Sequence, residues 1–209
     1  MKDIVIIGAG GFGREVAWLI EDINRVKNEW NVLGFVDDNE DIIGQEINGY
    51  KVLGNIEWLK KQNLYVVNAI GNSLVRKKIM EDLKSSKNQY PILIHPNVIV
   101  SNRVEIGEGS IICPNCIVST NTKVGRHVII DFGTIIGHDA VVDSYVTLFP
   151  SVNISGFSHL KECVHMGVKS VVLQELTIGE NTIVGAGAVV VKSIPSSCIA
   201  VGVPAKPIK

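Results

Sequence analysis

Residues 129–148 read IIDFGTIIGHDAVVDSYVTL, and their spacing decides the fold. Ile130, Ile136, Val142 and Leu148 recur every six residues, with the smaller Thr134, Ala140 and Val146 four places after the first three. Asp131, Gly137 and Asp143 come directly after an aliphatic. Outward from this stretch the register runs without a break from Ile94 to Val190. A helix repeats every 3.6 residues and a half-buried strand every 2. A period of six, with Gly or Asp at one fixed place, means short strand, turn, short strand. Such a unit cannot bury its own apolar side and must stack on copies of itself. The unbroken register also excludes a long inserted loop.

This pattern resembles the left-handed parallel β-helix of the hexapeptide acyltransferases, in which three hexapeptides form one triangular coil. The resemblance implies that residues 18 apart stack, with coils separated by about 4.8 Å. By that count His138 lies beside Gly156, and Thr147 beside His165.

Upstream of the repeat, residues 3–7 (DIVII) predict a buried parallel strand. Gly8, Gly10, Gly11 and Gly13 follow, then an amphipathic stretch from about Arg14 to Val26 with Val16, Leu19, Ile20 and Ile23 on one face. A second strand, VLGFVDD, ends in Asp37 and Asp38. Strand, Gly-rich turn, helix, strand and acid make the first unit of a Rossmann-like α/β fold. Glycines let the backbone approach a phosphate, and the helix N-terminus supplies N–H groups. Further elements are expected at 56–61 (helix), 64–70 (strand), 73–84 (helix) and 91–94 (strand). About 90 residues supply little more than one mononucleotide half, so a single nucleotide or nucleotide-sugar fits better than NAD. The domain expectation is residues 1–92 for the nucleotide-sugar unit, 93–191 for the β-helix and 192–209 for a C-terminal extension.

Bulk composition narrows the function. The chain has 209 residues, 46% hydrophobic but only 6% aromatic, so its core must be aliphatic. A net charge of −1 argues against nucleic acid or an anionic membrane as the main partner. The sequence has no apolar run long enough to span a bilayer. The N-terminus MKDIVIIGAGG is too short in its apolar part for a secretory signal, so a cytoplasmic location is expected. Cys113 and Cys116 form a C-x-x-C, yet no second ligand pair stands at zinc spacing, and the repeat accounts for both. No metal is expected.

Acetyl transfer from a thioester needs a base, an oxyanion donor and a slot for the donor cofactor. None of His95, His127, His138, His159 and His165 falls on an inward repeat position, so all are expected at the surface or corners of the prism. His138 is the best candidate base, since Asp139 beside it can orient the imidazole. Gly156 offers a bare backbone N–H, and Thr147 and His165 are expected to flank the slot. His159 and His165 stand six apart, but no third residue completes a zinc site.

Taken end to end, the chain resembles the bacterial family of sialic acid O-acetyltransferases and UDP- or GDP-4-amino-sugar N-acetyltransferases. The resemblance rests on GAGGFGREV (8–16), FVDD (35–38), AIGNSLVRKKI (69–79), IIGHDAVV (135–142), SGFSHL (155–160) and GVPAK (202–206). It implies a homotrimer with acetyl-CoA in a groove between adjacent β-helices. His138 matches the catalytic base, followed by Asp139, and Gly156 matches the donor to the thioester carbonyl. Gly167, Val168 and Ala186 match the pantetheine wall, and Lys206 a charge partner near the adenine end. Gly8, Gly10, Gly11, Phe12, Asp37, Asp38 and Gly71 match the nucleotide-sugar site. Two residues depart from the family: Phe12, where UDP-amino-sugar enzymes often carry His, and Asp131, often Asn. A serine-type transferase with a small acceptor and a non-catalytic trimeric binding module are the alternatives.

Overall fold

β1 (Lys2–Ile7) has Ile4, Val5, Ile6 and Ile7 buried, because it is an interior strand of a sheet covered on both faces. The computed structural model describes residues 1–208. After β1 come α1 (Gly11–Val26), β2 (Trp30–Val36), β3 (Glu46–Ile47), β4 (Tyr50–Gly54), α2 (Ile56–Leu59), β5 (Tyr65–Asn68) and α3 (Ser73–Asp82). The sheet order is β3-β4-β2-β1-β5, parallel except for β3. Gly13 allows the start of α1 to close on the loop before it, since a Cβ there would sit 1.8 Å from the Gly8 carbonyl oxygen. The β3–β4 hairpin was not anticipated from sequence. Its turn is Asn48-Gly49, with φ of 49° and 80°. Those left-handed values are what a tight hairpin turn demands.

From Leu93 to Val190 every strand is two residues long and pairs in parallel with the strand 18 residues away, as in Ile117 with Ile135 and Thr147 with His165. The result is a left-handed parallel β-helix with three faces. In each two-residue strand the second residue points inward, so Ile112, Ile130, Leu148, Met166 and Val184 are fully buried. Corner residues between strands take the left-handed conformation, including Asn121, Asp139 and Phe157, each at φ 58°.

The three faces differ on the outside. One presents Ile111, Ile129 and Thr147, all buried beneath the N-terminal domain. A second presents Glu105, Lys123, Val141, His159 and Thr177 and is polar. The third presents Ile99, Ile117, Ile135, Asn153, Val171 and Val189 and is apolar, with Ile99 66% and Ile135 40% exposed.

Arg76 of α3 holds the N-terminal domain on the covered face. It is fully buried. Its Nε donates to the His127 carbonyl at 2.9 Å, and Nη2 to the Tyr145 carbonyl at 2.8 Å, the Val146 carbonyl at 3.1 Å and Thr147 Oγ1 at 2.9 Å. Nη1 reaches back to the Ile70 carbonyl at 2.6 Å. Burial pulls the guanidinium down to about 9, which leaves it charged at neutral pH.

Two expectations need correction. The winding does not stop near residue 191. Ile194 bridges to Ile178, and the strand Ile199–Val201 lies parallel on Ile183–Val184 before Lys206–Pro207 turns back across it. The histidines also divide. His95 and His127 are buried, His95 against Asp22 of α1 and His127 between Tyr90 and Tyr145. The repeat fixes which residues point away from the prism axis. It carries no information about which outer surfaces another domain covers.

Candidate active site

Two corners border the open apolar face. The corner after it carries Gly137-His138-Asp139 and, one coil on, Gly156-Phe157. Gly137 is required there, because a Cβ would lie 2.7 Å from the Gly156 nitrogen. Gly156 is required for a second reason: its Cβ would fall 2.7 Å from His138 Cε1. The imidazole therefore lies directly over Gly156. His138 Nδ1 is 2.9 Å from Asp139 Oδ2, and the Phe157 ring meets the imidazole edge-on at 5.2 Å. With the carboxylate accepting, Nδ1 carries the proton and Nε2 presents a lone pair. The bond to His138 and a second from Asn121 hold the Asp139 carboxyl below its usual range. His138 is half-exposed, open to a substrate. The Gly156 N–H donates to no acceptor among the described residues.

The corner before the apolar face carries Gly167, Val168 and Ala186. A Cβ on Gly167 would sit 2.5 Å from the Ala186 nitrogen, so these residues share one strip of backbone on adjacent coils. Val168 is 41% exposed. Lys206 lies exposed on the final turn-back. Thr147 and His165 do stack on each other, but on the covered face. Thr147 is 1% exposed, and its hydroxyl is bonded to the Gly71 carbonyl at 2.8 Å, Arg76 and Ser73. That hydroxyl fastens two domains and does not face a cofactor slot. His165 is partly covered against Phe149, ring centroids 4.7 Å apart, and burial lowers its pKa.

The N-terminal candidates gather at the C-terminal ends of β1, β2 and β5. A Cβ on Gly10 would meet nothing within 4 Å, and one on Gly11 only the tip of Arg14. This loop faces open space. Gly8 has φ +96° and lies against Ile70, while a Cβ on Gly71 would meet the Phe149 ring of the β-helix at 3.9 Å. Asp37 Oδ2 accepts from the Ala9 N–H at 2.9 Å, tying the glycine loop to β2. Asp38 Oδ1 caps α2 through the Ile56 N–H at 2.9 Å. Phe12 is partly buried against the core beneath α1. Asp131 is buried at the corner before the apolar face, its Oδ1 on the Phe132 N–H, so within one chain it does not meet His138. Among the described residues no group of three or more His, Cys, Asp or Glu is arranged to hold a metal ion.

Comparison with known proteins decides the family. A model described as the PglD N-terminal domain matches residues 3–83. GDP-perosamine N-acetyltransferase of Escherichia coli O157:H7 is 33% identical over 202 residues, spanning 94% of this chain and 81% of that protein. The chain belongs to the hexapeptide-repeat sugar acetyltransferases. The fold agrees throughout. A histidine variant of perosamine N-acetyltransferase from Caulobacter crescentus, in complex with CoA and GDP-perosamine, superposes with a TM-score of 0.89 at 31% identity, over 100% of this chain and 98% of that one. The acetyltransferase domain of PglB from Neisseria gonorrhoeae FA1090, in complex with acetyl coenzyme A, gives 0.90 at 30% identity, over 99% of each chain.

Within this sugar acetyltransferase several features around His138 are not marked by the sequence pattern. Phe157 lies within SGFSHL (155–160), yet nothing in its spacing marks it as touching His138. Asn121 was reachable by the stacking rule, since it lies 18 residues before Asp139, to which its Nδ2 donates at 3.1 Å. A second His–Asp contact, His159 Nε2 to Asp143 Oδ1 at 3.0 Å, lies on the polar face away from the His138 corner.

Proposed function

We propose that the chain transfers the acetyl group of acetyl-CoA to the amine of a nucleotide-linked 4-amino-sugar, with His138 as general base. The observation that carries this reading is the His138 imidazole, held by Asp139 at 2.9 Å on Nδ1 and lying directly over Gly156. His138 Nε2 accepts a proton from the neutral amine as its nitrogen attacks the thioester carbonyl carbon. The Gly156 N–H donates to the developing oxyanion. Collapse breaks the carbon–sulfur bond, and the imidazolium returns its proton to the departing thiolate of CoA. Gly167, Val168, Ala186 and Lys206 line the path of the cofactor. The open Gly10–Gly11 loop at the start of α1 takes the diphosphate of the sugar nucleotide.

The site is assembled between subunits of a homotrimer. Two observations support this. The His138 corner and the Gly167–Ala186 corner border the same apolar face from opposite edges, so one chain does not close a pocket around both. That face is apolar and uncovered, as a self-association surface requires. The nucleotide-bearing substrate is preferred to a small acceptor such as serine because the matched family model covers the N-terminal domain itself. The enzyme is proposed to work in the cytoplasm, where activated sugars are the natural acceptors.

The decisive experiment is His138→Ala. Loss of roughly 100- to 10,000-fold in kcat is expected, with acetyl-CoA affinity unchanged by calorimetry. Wild-type turnover in a folded variant removes His138 from the mechanism.

A further inference from the structure

The Asp139 carboxylate is held from two sides. Its Oδ2 accepts from His138 Nδ1 at 2.9 Å, and its Oδ1 accepts from Asn121 Nδ2 at 3.1 Å. Asn121 belongs to the preceding coil on the same corner. The rigid 18-residue register delivers its amide to that oxygen, since Asp139 N–H itself donates to the Thr120 carbonyl at 3.0 Å. Thr122, on the other side of Asn121, donates its hydroxyl to the Gly137 carbonyl at 3.0 Å. The segments bearing Asn121 and His138 are thus pinned together on both sides of the contact.

A lone exposed carboxylate has freedom about χ1 and χ2 and solvates readily. Asp139 has a third of its side chain exposed. Without a second anchor, rotation about χ1 or χ2 carries the carboxylate away from Nδ1 toward solvent and breaks that bond, after which the neutral imidazole is free to place its proton on Nε2. A proton on Nε2 removes the lone pair that general-base chemistry requires. We propose that Asn121 is a positioning residue: it fixes the Asp139 carboxylate so that His138 keeps its proton on Nδ1 and offers Nε2 to the acceptor. Asn121 touches neither substrate nor the reacting atoms. It acts through Asp139, and its contribution to rate rests on the reading of His138 as base.

Asn121 also has φ 58°, a conformation that asparagine tolerates better than most residues. A residue kept for that backbone role alone is replaceable by glycine without penalty at the active site, and this separates the two roles. Asn121→Gly keeps the left-handed corner and removes the amide. Asn181→Gly makes the same change at another exposed left-handed asparagine, on a different corner, and serves as control.

Two quantities are measured on the full-length protein. Steady-state kinetics should show kcat reduced on the order of 10-fold in Asn121→Gly, with KM for acetyl-CoA and for the sugar nucleotide within twofold of wild type. Nitrogen-15 NMR of the neutral His138 ring should show predominantly the Nδ1–H form in wild type and a shift toward Nε2–H in Asn121→Gly. Asn181→Gly should change neither. A wild-type tautomer population in folded Asn121→Gly overturns the proposal, whatever its turnover. If His138→Ala keeps its activity, the general-base reading fails, and the tautomer measurement still decides whether Asn121 orients the Asp139–His138 pair.

Discussion

Two buried titratable residues beneath the N-terminal domain pull stability in opposite directions as pH changes. Burial lowers His127 from 6.5 to about 4, with Arg76 and Arg126 adding to the effect. Burial raises Asp131 from 3.8 to about 6. Between pH 6.5 and 4 the unfolded chain protonates His127 while the folded chain resists, so stability is lost as pH falls. Over the same window the folded chain holds a proton on Asp131 that the unfolded chain releases, so stability is lost as pH rises. The His127 contribution amounts to roughly 3 kcal/mol at most, and Asp131 offsets much of it. Asp131→Asn retains the acceptor for the Phe132 N–H and removes the compensation. Denaturant unfolding from pH 7 to 4.5 should therefore show Asp131→Asn losing stability relative to wild type as pH falls, and His127→Phe gaining it. Parallel curves for wild type and Asp131→Asn count against a folded-state shift at Asp131.

At the scale of elements, α3 shows how one buried charge can join two domains without a carboxylate partner. Arg76 satisfies its donors with backbone carbonyls of the β-helix corner 127 and 145–146, with Thr147 Oγ1 and with the loop before α3. Arg76→Met fills similar space but leaves those carbonyls without donors. A loss of about 3–5 kcal/mol is expected by analogy with breaking a buried ionic contact, read as a lowered Tm. Lys77→Met next to it removes only a half-exposed pair with Glu162, worth under about 1 kcal/mol. Equal effects at the two positions contradict the clamp. The sequence offers Arg76-Lys77-Lys78 as three similar helix charges. Which one is buried depends on the docking surface, a long-range contact that local pattern does not encode. The coils were legible because each strand repeats the same inward dipeptide position, and His138 over Gly156 followed from counting coils. Thr147 is expected beside a cofactor slot and lies instead under the N-terminal domain, because the repeat fixes its outward position and carries nothing about what covers it. The β3–β4 hairpin went unread although Asn48-Gly49 marked its turn, since its first strand has only two residues.

For the whole molecule, the three faces of the prism have three occupations: one bears the N-terminal domain, one is polar and open, and one is apolar and open. Placing a charge in the apolar stripe tests what that face is for. Ile117 sits between Ile99 and Ile135 on adjacent coils. Ile117→Glu should leave the secondary structure intact and convert the proposed trimer to monomers in light scattering, with turnover falling in step. An active monomer is incompatible with a site shared between subunits. The clamp on the covered face has a further consequence for descent with modification. All but one of the acceptors Arg76 finds on the β-helix are main-chain oxygens, and any polypeptide wound into this prism supplies those. The socket is therefore nearly blind to the side chains around it. A different N-terminal module bearing one arginine at the right place can be seated on the same β-helix, so that, on the proposed division of labour, acceptor choice diversifies by exchange of a whole module while the His138 corner stays fixed.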